Sequence, residues 1–229
     1  MEHQKIPIEL EKEIIMSRTS TRGDSNKIKS PLKYYVRYAA EKGQFEYWDG
    51  EKAVYFDVLE MVLLDDRKCI TGYNEKRKTR ITSNRVQSTA KEMLRVRCGE
   101  EILAEGLYND IKDKIVVSGG KFTNEIFAMV KIDGEFVPAS IQFAGVANGC
   151  WIDFLDQSGG KYALYRSMVR ATKGEHTKKG RSEFYTVAFE TAQLPADLDV
   201  AANEFNDDSL QPYLNQNKAV VVEPEAAVV

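Results

Sequence analysis

Short runs that alternate apolar and polar residues, closed off by Gly, Asn and Asp, dominate this chain and confine it to a β-rich fold. Lys33-Tyr-Tyr-Val-Arg-Tyr38 sets Tyr34, Val36 and Tyr38 on one face of a strand and Lys33, Tyr35 and Arg37 on the other. Asp49-Gly50 stands between Phe45–Trp48 and a run that opens at Val54, a strong hairpin signal. Val54–Leu64 is apolar and lacks helical caps, so it reads as a buried strand, with Cys69–Tyr73 as its neighbour. Arg80–Val86 and Met93–Arg97 are further short strands, and in the second Leu94 and Val96 face the core while Arg95 and Arg97 point outward. Ile126–Ile132 turns at Asp133-Gly134 into Phe136 and then Ile141–Ala144. Tyr162–Ala171 and Phe184–Glu190 form a last hairpin joined by a basic loop over 172–183. Helical spacing appears at Leu107, Ile111 and Ile115, stopped by Ser118-Gly-Gly120, and at Ala147–Asp156, stopped by Ser158-Gly-Gly160.

Eight or more short strands, two short helices and no βαβ alternation predict a mainly β fold. An OB-fold-like β-barrel (the oligonucleotide-binding type) with two short helices and extensions fits the length, and a sandwich has the same spacing. Three segments are expected: a mobile N-terminal arm over 1–31, with Ile6–Ile15 suited to a short helix; the OB-like domain over 32–194; and an acidic, largely disordered tail over 195–229. The 229 residues are 43% hydrophobic, too apolar for a wholly disordered chain. No apolar run approaches the roughly 18–20 residues of a membrane helix, and Met1-Glu2-His3-Gln4-Lys5 does not read as a signal peptide. Cys69, Cys98 and Cys150 are widely spaced with no CxxC pair, which points to a reducing, cytoplasmic setting and away from structural zinc. With only His3 and His176 in the chain, a His-based metal site or a Ser-His-Asp triad has little to build on, and no metal or cofactor is expected.

The net charge of −3 hides a polarised layout. Residues 195–229 hold seven acids against Lys218, a net of −6, which leaves the other 194 residues at +3. Ten bases and two acids fall in 67–97, and seven bases and one acid in 161–182. Two basic blocks followed by an acidic segment imply a polyanion-binding body with a self-shielding or partner-recruiting tail; the plain alternative is a solvated surface.

Binders of single-stranded nucleic acid need rings for bases to stack on and Lys or Arg for phosphates. This chain interleaves them. The candidate rings are Tyr35, Tyr47, Trp48, Tyr73, Tyr165 and Tyr185; the candidate phosphate partners are Arg37, Arg77, Arg80, Arg85, Arg95, Arg97, Arg166 and Arg170. Lys178, Lys179 and Arg181 would act as a flexible clamp, and the tail would compete with DNA for the basic groove. Any one of these rings could instead be core, since Tyr and Phe are ordinary strand residues. Two other classes compete. A virion structural or scaffolding β-protein would use its basic patches against an acidic subunit. A metal-dependent nuclease would need carboxylates such as Asp57, Glu60, Asp65 and Asp66, with Lys68 nearby. Ser118-Gly-Gly-Lys121 lacks the spacing of a phosphate loop.

The order of short motifs adds a resemblance. An aromatic first strand is followed by Ile70-Thr-Gly-Tyr73, Ser83-Asn-Arg-Val86, Leu94-Arg-Val-Arg97, Ala104-Glu-Gly-Leu-Tyr108, Asp110-Ile-Lys112, Gly119-Gly-Lys121, Trp151-Ile-Asp-Phe154 and Phe184-Tyr185. Over roughly 33–190 this resembles the single-stranded DNA-binding proteins of tailed bacteriophages. The resemblance implies non-enzymatic coating of single-stranded DNA in phage replication or recombination, in the host cytoplasm. It also implies an acidic tail that recruits replication or recombination proteins; here the tail ends Glu225-Ala-Ala-Val-Val229, without a terminal aromatic. A homo-oligomer is compatible with the sequence, and no membrane partner is expected.

Overall fold

The computed structural model of the protein describes residues 28–180 and 182–216. The expected arm lies almost wholly outside the described residues, as do Arg181 and 217–229. The elements run β1 (Tyr34–Ala39), β2 (Gln44–Trp48), β3 (Ala53–Phe56), β4 (Val58–Asn74), β5 (Thr79–Ser83), β6 (Leu94–Cys98) and β7 (Glu101–Gly106). Helix α1 (Tyr108–Val117) follows, then β8 (Gly120–Ile132), β9 (Glu135–Ala144), α2 (Val146–Gln157), the single turn α3 (Lys161–Leu164), β10 (Ser167–Lys179) and β11 (Ser182–Gln193). Helix α4 (Ala196–Phe205), a π-helical turn (Asn206–Leu210) and α5 (Gln211–Asn215) complete the described chain.

The protein is mainly β, as the alternation predicts. Its strands form one mixed sheet in the order β3-β2-β1-β9-β8-β4-β5-β6-β7, with the β10–β11 hairpin joined to β4. The pairs are antiparallel except β1 with β9. The sheet does not close. Its nearest approach to closure is at β11, where the Tyr185 amide donates to Ala40 O (2.8 Å) and Tyr38 Oη donates to Thr186 O (2.7 Å).

Strand β4 explains the open form. The runs that read as two neighbouring strands, up to Leu64 and from Cys69, are one strand of 17 residues with a bulge between Leu63 and Asp65. Its edge opposite β8 is shared: β10 takes Val58–Val62 and β5 takes Thr71–Asn74. The sheet forks there, and two apolar clusters form. One packs Phe45, Leu59, Ile141 and Phe143 under Trp151 of α2; the other packs Ile70, Ile81, Leu94 and Val96 under Ile111 and Ile115 of α1. The basic loop expected over 172–183 is also corrected, because both of its arms are strand.

The tail expected to be disordered from 195 is helical to Asn215. Its apolar residues supply the reason: Ala202 and Leu210 are buried against Val62, Phe127 and Met129, while Asp197, Asp199, Glu204, Asp207 and Asp208 are exposed. Pro212 removes an amide that α-helical bonding would use, and just before it Gln211 N donates to Asn206 O in the wider π pattern. Burying Leu210 alone is worth roughly 1.5–3 kcal/mol. A chain stopped after Leu194 is therefore expected to melt about 10 °C or more below the full chain, at about 2–4 °C per kcal/mol for this size.

Candidate nucleic-acid interface

Residues directly opposite in a ladder point to the same side of a sheet. The registers Tyr35↔Ser140, Arg37↔Glu46, Arg37↔Gln142 and Gln142↔Glu125 carry one face across β2, β1, β9 and β8. Glu125↔Arg67, Thr71↔Lys121, Thr71↔Thr82, Tyr73↔Arg80 and Thr82↔Arg97 carry the same face across β4, β5 and β6. Trp48 and Arg95 join it by alternation along β2 and β6. This outer face, opposite the two core clusters, thus holds Tyr35, Arg37 and Trp48 on one bank and Tyr73, Arg80, Arg95 and Arg97 on the other. The four strand spacings from β1 to β5 separate the banks by about 19 Å across the sheet, and Tyr35, in the row of Ser140, Phe127 and Asp65, is also offset from Tyr73 by about 26 Å along the strands. Trp48 is 63% exposed, Tyr35 51% and Tyr73 44%. Exposed Tyr55, which sequence reasoning passed over, belongs to the same face opposite Glu46 and carries Lys42 Nζ at 3.7 Å from its ring centre.

The remaining predicted residues lie elsewhere or are already engaged. Tyr47 is corrected outright: it is buried on the core side, edge-on to Tyr34 at 4.7 Å. Tyr165 is half-buried against the core cluster around Phe143, and burial, with Asp66 and Asp65 nearby, raises its pKa. Tyr185 is half-buried at the root of the β10–β11 hairpin, with Lys173 Nζ 3.5 Å from its ring centre. Arg77 sits in the β4–β5 turn and pairs with Glu101. Arg166 is exposed just before β10, and Arg170 pairs with Glu190 at 3.3 Å. Lys178 pairs with Glu183 at 3.1 Å and Lys179 is exposed at the hairpin end. On the outer face itself Arg37 pairs with buried Glu46, and Arg95 with Glu105 at 2.8 Å, which raises the Arg95 pKa.

Arg85 is the correction with most consequence. It lies in the loop after β5, tied down where Val86 exchanges backbone hydrogen bonds with Lys68. Its Nε donates to Glu125 Oε2 (2.5 Å), one terminal nitrogen to Glu125 Oε1 (2.9 Å) and the other to Tyr213 Oη (3.2 Å). Burial alone would lower its pKa, but the bonds to Glu125 and then Tyr213 raise it. Glu125 is 1% exposed and also accepts from Ser140 Oγ at 2.7 Å. Arg67, directly opposite, is turned to Asp65 Oδ1 (2.5 Å) and Asp66 O (2.9 Å), and Gln211 of α5 donates to Asp65 Oδ2 (2.8 Å). A buried carboxylate or guanidinium is tolerated only with such partners. Cys69 beside this network has its thiol pushed up to about 12, by burial first and the Glu125 charge second.

Over this floor opens a cleft of about 790 Å³, walled by the strand β5 end and Arg85 on one side and by Tyr213, Leu214 and Asn215 on the other. The half of the outer face nearest the start of β4 is apolar (Val62, Phe127, Met129) and is covered by the C-terminal helices; the polar half beyond is not. The cleft marks the boundary. Gln142, Thr82 and Asn215 line it with hydrogen-bond donors and acceptors. Sequence reasoning missed Glu125, Gln142, Ser140 and Tyr213. The one signal was Thr123-Asn-Glu125, three polar residues inside an otherwise apolar strand.

The carboxylates weighed for a nuclease are engaged singly. Asp57 accepts from Gln44, Glu60 pairs with Lys131 (3.0 Å), Asp65 with Arg67, and Asp66 with Lys68 (2.6 Å) and Lys161 (3.0 Å). Burial alone would raise the Asp66 pKa, but the two lysines together hold it below the ordinary carboxylate value. Among the described residues no cluster of three or more metal-ligating side chains occurs, and no helix is long and apolar enough to cross a membrane. Neither a protein-family model, nor a curated protein sequence, nor a solved structure matches the chain.

Proposed function

We propose that the protein binds single-stranded DNA without acting on it chemically, across its outer face. The observation that carries this reading is the register: Tyr35, Trp48 and Tyr73, all exposed, share one face with Arg37, Arg80, Arg95, Arg97 and Lys121. Bases would stack on rings of the two banks while the cations follow the phosphates. The exposed pair Arg95–Glu105 lies at the water interface, where phosphate can replace the carboxylate partner, and the Arg37 side chain is itself exposed although its partner Glu46 is buried. In this reading the curled sheet serves as an OB-like platform, and the cleft receives a base turned out of the strand. The acids of α4 and the π turn face solvent, so they leave the groove open and offer a separate acidic surface to replication or recombination partners.

The test uses the two tryptophans. Trp48 is exposed on the face and Trp151 is buried under the core. Titration with an oligothymidine of about 20 nucleotides, longer than the roughly 4–16 that one OB-type fold covers, should quench intrinsic fluorescence. Trp151→Phe should retain the quench and Trp48→Phe should lose it. Log affinity should fall with log salt at about 0.7 per phosphate contacted, hence a slope near −3 for four or five contacts. Quenching that survives Trp48→Phe, or a flat salt profile, rejects the reading. Equal binding to single and double strands would favour a virion component, and metal-dependent cleavage of the oligomer would reveal a nuclease.

A further inference from the structure

The cleft of the outer face is lined by two arginines and two glutamates, which cancel in charge. All four are committed within the protein. The terminal nitrogens of Arg85 go to Glu125 and Tyr213, and buried Arg67 is turned to Asp65. Glu125 takes Arg85 and Ser140, and Glu92 accepts from the backbone amides of Gln87 and Ser88 at 3.0 and 2.8 Å. What is left over is neutral. The side chains of Gln142, Gln87, Asn215 and Thr82 make no hydrogen bond among the described residues. An anion finds no spare cation in this lining. A neutral ligand that presents a donor beside an acceptor does find matching groups.

Gln142 stands apart from the other three. Gln87, Asn215 and Thr82 are exposed, whereas Gln142 is half-buried. It sits on β9 inside the sheet, with Arg37 directly opposite on one side and Glu125 on the other, so ladders on both edges fix its backbone. Tyr35, an exposed ring of the first bank, is two residues, about 7 Å, along β1 from Arg37.

Each base asks for a different side chain. Guanine's paired acceptors are met by Arg or Lys, cytosine's amino group by a carboxylate, and adenine's neighbouring N6 donor and N7 acceptor by Gln or Asn. In the cleft the first two kinds are engaged and the third is free. Thymine also shows a donor beside an acceptor, but its single ring has less surface to bury in about 790 Å³.

We infer that the cleft is an adenine-reading subsite and that the Gln142 amide is the group that selects the base. This rests on the single-strand reading of the outer face and adds a sequence preference to it. A base next to one stacked on Tyr35 turns into the cleft and meets this amide.

The experiment compares, by fluorescence anisotropy, oligomers of deoxyadenosine, thymidine and deoxycytidine of about 20 nucleotides, longer than one OB-type site. Gln142→Leu is expected to lower the ratio of adenine to thymine affinity about fivefold or more, the lower end of what one bidentate pair discriminates. Differences in how the free strands stack on themselves are common to parent and variant and drop out of this comparison. Gln142→Glu keeps an acceptor and loses the donor, so it should move the preference from adenine toward cytosine. Gln142→Leu should melt like the parent by circular dichroism, because it breaks no hydrogen bond among the described residues. An adenine-to-thymine ratio that changes less than twofold in Gln142→Leu overturns the inference, and so does an equal loss on all three oligomers. If the parent binds none of them, the single-strand reading falls and free deoxyadenosine decides the cleft by itself. Saturating chemical-shift changes that vanish in Gln142→Leu would then uphold the adenine site, and their absence in the parent would overturn it.

Discussion

Glu125→Ala is expected to lower stability by about 3–5 kcal/mol, the usual loss when one partner of a buried ion pair is removed. The carboxylate is 1% exposed and takes two nitrogens of Arg85 and the Ser140 hydroxyl, so its removal strands a half-buried guanidinium and a buried hydroxyl together. Arg85→Ala should cost a similar amount, because the more deeply buried member is then left alone. The double change Glu125→Leu with Arg85→Met should recover most of the loss, since apolar groups of similar volume often equal or exceed a buried pair in stability. Urea denaturation of the four proteins measures all three effects. Single variants within about 1 kcal/mol of the parent would show that the network contributes little and that cleft geometry needs another support.

Neighbours 47 and 48 should behave as opposites. Trp48→Ala, taken with Tyr35→Ala, removes two stacking platforms worth roughly 1–3 kcal/mol each. That corresponds to about a thirty-fold or greater loss in oligothymidine affinity at 1.4 kcal/mol per tenfold. The Tm should move little, because both rings are exposed. Tyr47→Ala should instead cost stability of the order of a buried aromatic truncation, about 3–5 kcal/mol. Its ring packs on Tyr34 and Phe56 in the core. If Trp48→Ala with Tyr35→Ala left affinity within threefold, the outer face would not be where the bases lie.

How far the sequence could be read follows from where side-chain period and burial agree. Along Tyr34–Ala39 and Leu94–Cys98 the alternation is strict, and both the strands and the outward Arg37, Arg95 and Arg97 are legible. Tyr47 and Trp48 carry no such mark, since two adjacent rings in a strand must face opposite ways and nothing local says which is inside. The length of β4 was hidden because Asp65-Asp-Arg-Lys68 looks like a loop; these charges are tolerated mid-strand through partners distant in sequence, such as Gln211 and Lys161. Arg85 is indistinguishable from its basic neighbours until Glu125 is brought to it from 40 residues away. The tail misled for a compositional reason: its acids are numerous, and its apolar positions, Ala202, Phe205 and Leu210, are too few to announce a helix until the apolar half of the outer face receives them.

The forked strand has a consequence for how the molecule comes apart. Leu59 and Met61 on β4 serve one apolar cluster, and Ile70 on the same strand serves the other. Neither cluster owns a sheet that excludes this strand or its full-length partner β8. A cut at the bulge would leave each half missing the spine it packs on, so the two clusters behave as one cooperative unit with a shared backbone rather than as two modules that evolution or a protease could separate.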